Sequence, residues 1–169
     1  MRTPVCELLG IEQPIVLAPM VAVPQLAAAV SNAGALGMLT LTWSEDVGAV
    51  VRETAALTAR PFCGNLVLTE DRHRRLEQAL EAGLRIVSFF LGDPSGYIEQ
   101  VHDAGGMVMH TVGTAEEARR AVASGVDMVD AQGWEAGGHV WGPRRDAAAG
   151  ARGRGRRGAG AGDRGWRDR

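Results

Sequence analysis

Side-chain amides and glycines stand where strand-like apolar runs end, and these residue types suit the binding of a flat, polar ligand. Asn65 lies within one such run, and Gln132 comes directly after another. Each amide offers hydrogen-bond donors and an acceptor. Because an asparagine inside a strand is costly unless it is paired, Asn65 serves either a ligand or a structural hydrogen bond. Gly137 and Gly138 follow Gln132 and either form a turn or let the backbone approach a ligand closely.

His139, next in the same glycine-rich loop, is the strongest candidate for acid–base chemistry. An imidazole titrates near neutral pH, so it can hold an anion when protonated or remove a proton when neutral. The other three histidines are weaker candidates. His73 and His102 lie on faces of predicted helices, and His110 lies within a predicted strand, where a hydrogen-bonded core histidine is the more common role.

Apolar runs and amphipathic segments alternate regularly before residue 132. Strand-like runs begin near residues 15, 36, 62, 85, 107 and 126, and helices are predicted over 24–32, 44–58, 70–82, 95–104 and 114–124. Four of the helices end in Ala-Gly or Ser-Gly, which is typical of a helix C-terminus. Thr114 and Glu117 have the spacing of a capping box. This alternation predicts a parallel α/β sheet, and both a doubly wound sheet and a (β/α)8 barrel satisfy it.

Both architectures bind ligands at the carboxyl ends of their parallel strands. The first run ends in Ala18, Pro19 and Met20, the third contains Asn65, and the sixth is followed by Gln132. We therefore expect these positions to lie at one common edge of the sheet.

Several stretches together resemble the nitronate monooxygenase family, formerly called 2-nitropropane dioxygenases. The glycine-rich loop reads Gln-Gly-Trp-Glu-Ala-Gly-Gly-His and is the most specific of them. The stretches are residues 9–11, 14–20, 26–34, 36–37, 65–66 and 132–139. The resemblance runs from about residue 8 to residue 142.

The resemblance implies a (β/α)8 TIM barrel of which about six βα units are present, followed by an irregular basic tail. It also implies non-covalent FMN and the oxidation of alkyl nitronates or nitroalkanes by dioxygen, giving a carbonyl compound and nitrite. His139 would be the catalytic residue, and no metal site is implied. The residues expected to contact FMN are Ala18, Pro19, Met20, Asn65, Gln132, Gly133, Gly137 and Gly138.

Two alternatives to this function stay open. One is an FMN-dependent NAD(P)H:quinone or enoyl-thioester reductase of the same barrel group. The other is an inactive fragment, or a binding module with a basic tail. Flavin reduction by NADH without nitronate would favour the first, and an inability to retain flavin would favour the second.

Composition excludes several other classes of protein. The 169 residues are 46% hydrophobic and 22% charged, with a net charge of -2, which argues against a nucleic-acid-binding protein. Two cysteines are too few for a disulfide framework, and together with the lack of a signal-peptide pattern they favour a cytoplasmic protein. Residues 14–44 are uncharged, but their prolines and glycines argue against a membrane span. A homo-oligomer is compatible with this composition.

Residues 143–169 depart from the alternating pattern. They contain 9 arginines and 3 aspartates, whereas residues 1–142 contain 9 arginines and 17 carboxylates. We expect residues 1–142 to form a partial flavin-binding barrel and the tail to be disordered. The tail is either a flexible basic segment that meets an acidic or nucleic-acid partner or the product of a frameshift near residues 142–143, and we hypothesise the frameshift. The codons of residues 145–169 can be assigned with their third bases chosen freely and then read one base later. One resulting sequence is ATLPLVPAVVDAVGRAPVIAGGGIA, which has the pattern of an amphipathic helix, a buried strand and a glycine turn. Sequencing the coding DNA across this point tests the frameshift.

Overall fold

The computed structural model describes residues 3–140, so the tail at 143–169 lies outside the described residues. The described chain contains six helices and five parallel strands, which alternate after the first helix. The strands are β1 Gly37–Thr40, β2 Phe62–Val67, β3 Ile86–Phe90, β4 Met107–Val112 and β5 Met128–Ala131. The helices are α1 Pro4–Leu9, α2 Pro24–Asn32, α3 Val47–Leu57, α4 His73–Glu81, α5 Ser95–Asp103 and α6 Ala115–Ala123.

The order of the strands decides between the two architectures that the sequence left open. The sheet runs β1-β2-β3-β4-β5 without a reversal. Helices α2 to α6 all contribute to one apolar cluster on one face of the sheet. A doubly wound sheet reverses its strand order and carries helices on both faces. Sequential parallel strands with all their crossover helices on one face are the arrangement of a TIM barrel.

The two faces of the sheet bury different sets of side chains, because successive residues of a strand point in opposite directions. One face lies under α2–α6 and is lined by Leu39, Leu66, Val87, Phe89 and Val108. We call the opposite face the inner face. At the amino ends of the strands it packs against Cys6 and Leu9 of α1, and its side chains there are Met38, Cys63, Ile86 and Met109.

The first predicted strand is wrong as a regular strand. Residues 15–17 run parallel to the residues before β1, but they form one isolated bridge, Val16 to Leu36. Pro14 and Pro19 flank this short stretch, and a proline cannot donate a backbone hydrogen bond to a sheet. The stretch is therefore an irregular edge beside β1.

The helix boundaries are confirmed where local capping sets them. Gly34, Gly83, Gly105 and Gly125 follow α2, α4, α5 and α6, each with a positive φ of 71° to 103°, as a left-handed helix end requires. Two helices begin later than predicted, α3 at Val47 and α4 at His73. Asp46 caps α3 by accepting a hydrogen bond from the backbone N–H of Ala49. Helix α1, which the sequence analysis did not identify, ends at Leu9 and is capped by Gly10.

Thr114 caps α6, and its replacement by alanine is expected to cost about 1 kcal/mol of stability. The Thr114 hydroxyl accepts from the backbone N–H of Glu117 at 3.1 Å, while Glu117 Oε2 accepts from the N–H of Gly113 at 2.9 Å. Urea unfolding of Thr114→Ala measures the loss. Thr114→Ser retains the acceptor and should stay close to the wild-type protein. Equal losses for both variants would contradict capping as the cause.

Candidate functional site

Three polar side chains lie in register on the inner face of the sheet, near the carboxyl ends of three neighbouring strands. Thr40 of β1 pairs with Asn65 of β2, and Asn65 pairs with Ser88 of β3. Each follows, two residues on, an apolar side chain of the inner face, so all three point to that face. All three are buried. We call these three residues the polar row.

The polar row satisfies only part of its hydrogen-bonding capacity. Asn65 Nδ2 donates to Ser88 Oγ at 3.1 Å and lies 3.3 Å from the Ser88 carbonyl oxygen. This pairing is the structural hydrogen bond that the sequence left open for Asn65. The buried Thr40 hydroxyl oxygen has no hydrogen-bond partner within residues 3–140. An unpaired buried hydroxyl costs about 1–3 kcal/mol, so Thr40 is suited to a partner that is not part of the described chain.

A second polar pair extends the inner face toward the strand ends. Thr111 of β4 and Asp130 of β5 are paired in register, and the Thr111 hydroxyl lies 3.4 Å from Asp130 Oδ2. The inner face is therefore apolar at the amino ends of the strands, where it packs against α1. At the carboxyl ends it carries hydroxyl, amide and carboxylate groups. A flat heteroaromatic ligand with several donors and acceptors, such as a flavin, fits this set of groups.

The structure brings the predicted Ala18, Pro19 and Met20 close to the polar row. Met20 N donates to the Ala18 carbonyl at 2.9 Å, which forms a tight turn. The next residue, Val21, accepts from the backbone N–H of Thr40. The turn therefore lies at the carboxyl end of β1, with Thr40 between it and Asn65. The Met20 side chain is 80% exposed, so it is available to cover a ligand.

The second predicted group forms a loop beyond β5. The backbone N–H of Gln132 donates to the Val112 carbonyl, and Gln132 Nε2 donates to the carbonyl of His139 at 3.0 Å. This side-chain bond closes the loop over residues 133–138. Gly137 and Gly138 are exposed, and a Cβ on either would meet no atom within 4 Å. Gly133 is half-buried, and a Cβ there would meet the Glu135 carboxylate.

These two groups lie beside strands at opposite ends of the sheet order. Ala18 to Met20 lie beside β1, and the loop with His139 follows β5 at the opposite end of the sheet. Both lie at the carboxyl edge, as expected for parallel strands. The polar row and the Thr111–Asp130 pair lie on the strands between them.

Sequence reasoning missed most of the inner-face polar residues. Thr40, Ser88, Thr111 and Asp130 were not singled out, although the first three each interrupt a buried strand with a polar side chain. Alternation with the apolar inner-face residues was the available signal. It could not be used without knowing which strands pair and in which register.

Cys63 lies at the apolar end of the inner face. Burial raises the pKa of its thiol well above the ordinary range, so the group stays protonated and unreactive. Residues 3–140 contain no group of three or more histidine, cysteine or acidic side chains arranged to hold a metal ion. No helix in this part of the chain is long and apolar enough to cross a membrane.

His110 lies on the other face of the sheet, away from the polar row, and is expected to make the protein less stable in acid. Burial lowers the pKa of His110, against the opposing effects of the Phe89 carbonyl, Asp93 and Glu117. Below the ordinary histidine pKa of about 6.5, the unfolded chain binds a proton that the folded chain does not. The free energy of unfolding therefore decreases as the pH is lowered. His110→Gln should reduce this fall between neutral and mildly acidic pH, measured by urea unfolding. His139→Gln, at an exposed histidine, is the control. If His110→Gln were as sensitive to acid as the wild type, the prediction would be contradicted.

Comparison with known proteins is consistent with this geometry. A family model described as nitronate monooxygenase matches residues 2–73 and 67–153. The structure of FabK from Thermotoga maritima is similar to this chain, with a TM-score of 0.79 and 33% sequence identity. The alignment covers 84% of this chain and 47% of that chain. The TIM-barrel type of the fold is thereby confirmed.

Two curated relatives differ in how they align. A (3aS,4S,5R,7aS)-5-hydroxy-7a-methyl-1-oxo-octahydro-1H-indene-4-carboxyl-CoA dehydrogenase of Mycobacterium tuberculosis is 38% identical over 146 positions, covering 83% of this chain and 41% of its own length. A nitronate monooxygenase of Pseudomonas aeruginosa is 36% identical over 188 positions, covering 84% of this chain and 54% of its own length. The second alignment is longer for the same share of this chain, so that enzyme contains segments without a counterpart here.

The chain thus spans about half the length of the curated relatives it matches. The family model nevertheless covers most of the chain, and the polar inner face lies at the carboxyl edge of a TIM-barrel type sheet. On this evidence the chain belongs to the nitronate monooxygenase family.

Proposed function

We propose that residues 1–142 form the flavin-binding part of an FMN-dependent oxidoreductase that oxidises alkyl nitronates with dioxygen to a carbonyl compound and nitrite. The observation that carries the proposal is the polar row, with its buried, unpartnered Thr40 hydroxyl at the carboxyl edge of the sheet. Membership of the family supports the choice of FMN and of nitronate. FMN, when bound, supplies the redox chemistry.

The chain's own residues would hold and orient the cofactor. Thr40 and Asn65 offer a hydroxyl and an amide from the floor of the site. The turn at Ala18–Met20 offers backbone groups and an exposed apolar side chain at one side. Gln132 and the glycines at 133, 137 and 138 offer an amide and unobstructed backbone at the other side.

His139 would act on the substrate. A nitronate is an anion, so a protonated imidazole would hold it by charge and hydrogen bonding. A neutral imidazole would instead remove the carbon-bound proton of a nitroalkane. The Gln132 side chain binds the His139 carbonyl and so positions the loop without engaging the imidazole.

The test is reconstitution of the full chain with FMN. Retained flavin is measured by absorbance after desalting, and oxygen uptake and nitrite release are measured with ethyl nitronate and no nicotinamide. Flavin retention with nitronate-dependent oxygen uptake is the expected result. Failure to retain flavin would show an inactive fragment instead, and retained flavin without nitronate oxidation would reject the substrate.

Thr40→Val separates a ligand role of the hydroxyl from a structural one. Removal of an unpaired buried hydroxyl should leave the flavin-free protein as stable as the wild type or more stable. If the hydroxyl binds FMN, the same change should weaken flavin affinity about tenfold, a loss of about 1.4 kcal/mol. Flavin fluorescence titration and urea unfolding measure the two effects. Thr111→Val, which removes a hydroxyl that already has a partner, is the control for stability. Unchanged flavin affinity of Thr40→Val would contradict the prediction.

A second candidate function is oxidoreduction of a thioester-linked substrate with a nicotinamide cofactor. It is favoured by the alignment with the CoA dehydrogenase, which spans 146 positions for 83% of this chain and so needs few gaps. Rapid reduction of bound flavin by NADH without nitronate, with turnover of a CoA thioester, would select this candidate over the first.

A further inference from the structure

A cleft lies between α5 and α6, on the face of the sheet opposite the polar row. Its volume is about 170 Å³, which is room for a small molecule. It is lined by the loop that leads from β3 into α5, by His110 of β4 and by one side of α6. Helices α5 and α6 make few contacts with each other, so the cleft opens to solvent between them.

The floor of the cleft is an imidazole with one unused nitrogen. His110 is 7% exposed, and its Nδ1 lies 3.2 Å from the Phe89 carbonyl oxygen. A carbonyl can only accept a hydrogen bond, so Nδ1 is the donor and carries the proton of the neutral ring. Nε2 therefore presents a lone pair, and it has no hydrogen-bond partner within residues 3–140.

Two carboxylates line the same cleft and are held in place by backbone groups. Asp93 Oδ1 accepts from the N–H of Ser95 at 2.9 Å, and Glu117 Oε2 accepts from the N–H of Gly113 at 2.9 Å. Both carboxylates act electrostatically on the His110 ring. Their second oxygens make no further hydrogen bond in the described part of the chain.

The charges on the wall restrict the kind of ligand. Arg120 also lines the cleft, but its guanidinium donates to Glu116 at 2.6 Å on the exposed side of α6. Three acceptors, two of them anionic, disfavour an anion. A metal ion is disfavoured because the acidic and imidazole groups of residues 3–140 do not converge as a metal site requires.

We propose that this cleft binds a small organic ammonium ion, whose N–H group donates to His110 Nε2 and whose positive charge is attracted by the carboxylates of Asp93 and Glu117. An ammonium carries several donors on one positive centre, so it complements a neutral acceptor beside two anions. The site is separate from the flavin site, because His110 and the polar row point to opposite faces of the sheet. It does not depend on the proposed oxidoreductase function.

The experiment is a titration of the ¹⁵N-labelled full chain with ethylammonium chloride at constant ionic strength. The ring nitrogens of His110 are followed by long-range ¹H–¹⁵N spectra, and His110→Gln assigns the signals. We expect a saturable shift of Nε2 in the millimolar range. Asp93→Asn and Glu117→Gln, which keep the local acceptors for Ser95 and Gly113, should each weaken binding about tenfold. His102→Gln, a change outside the cleft, should bind as the wild type does.

Tetramethylammonium is the matched probe, because it has the same charge and no N–H group. It should leave the Nε2 signal unshifted. An equal shift with tetramethylammonium, no saturable shift with ethylammonium, or unchanged binding in both acidic variants would overturn the proposal. Saturable binding of inorganic phosphate at His110 would also overturn it. Thermal melting of each variant confirms that binding is compared between folded proteins.

Discussion

Replacing His139 by alanine is expected to lower kcat/KM for nitroalkane oxidation by about 10²–10⁴-fold, the usual contribution of a general base. The imidazole is exposed at the end of the loop beyond β5. The bond that holds this loop runs from Gln132 Nε2 to the backbone carbonyl of His139. Alanine keeps that carbonyl, so the substitution removes the imidazole and leaves the loop closed.

The comparison of two substrates shows what the imidazole does. A nitroalkane must lose a carbon-bound proton, whereas a preformed nitronate has already lost it. A general base predicts a large loss of kcat for the nitroalkane and a small one for the nitronate, while anion binding predicts a raised KM for the nitronate. Steady-state oxygen uptake at several pH values measures both. His73→Ala, another exposed histidine, is the control, and full activity of His139→Ala would remove His139 from the mechanism.

Replacing Gly37 by alanine is expected to destabilise the fold by about 3 kcal/mol, at the upper end for overpacking a tight site. A Cβ at Gly37 would overlap the carbonyl oxygen of Ala27 in α2 and would lie 2.7 Å from the Ser31 hydroxyl. That hydroxyl accepts from the Gly37 N–H at 3.1 Å and donates to the Pro61 carbonyl at 2.8 Å. Relief of the overlap would move α2 away from β1 and break this buried connection.

Gly96 provides the matched control for this change. A Cβ there would meet no atom within 4 Å, and the residue lies in the first turn of α5. Gly96→Ala should therefore be neutral or stabilising by up to about 1 kcal/mol. Free energies of unfolding in urea compare the two variants. A loss for Gly37→Ala no greater than that for Gly96→Ala would show that α2 and β1 are not packed as tightly as the contacts indicate.

The polar row shows what a single sequence could not reveal about the site. Asn65 was identified because an amide in a strand needs a partner, but its partner Ser88 was not. The two residues are 23 positions apart, and their contact depends on the register of β2 against β3. Thr40 became a candidate only when its hydroxyl was found buried without a partner in the described chain.

The sequence by itself determined the elements that depend on local interactions. Helix ends at Gly34, Gly83, Gly105 and Gly125 and the cap at Thr114 involve groups a few residues apart, so their residue types are sufficient to predict them. The glycine-rich loop at 132–139 was recognised from its resemblance to the nitronate monooxygenase family. The edge at residues 15–17 was wrongly predicted as a strand, because its pairing depends on a distant neighbour and on flanking prolines.

Only the tertiary structure decided the order of the strands, the inner face and the separation of two sites. Alternating strands and helices fit two architectures, and the distinction lies in which strands become neighbours across tens of residues. The same pairing sends Asn65 to the inner face and His110 to the cleft under α5 and α6, although both are polar residues in buried strands. Side-chain direction alternates at every residue, so register, which is set by contacts distant in sequence, assigns each group to its site.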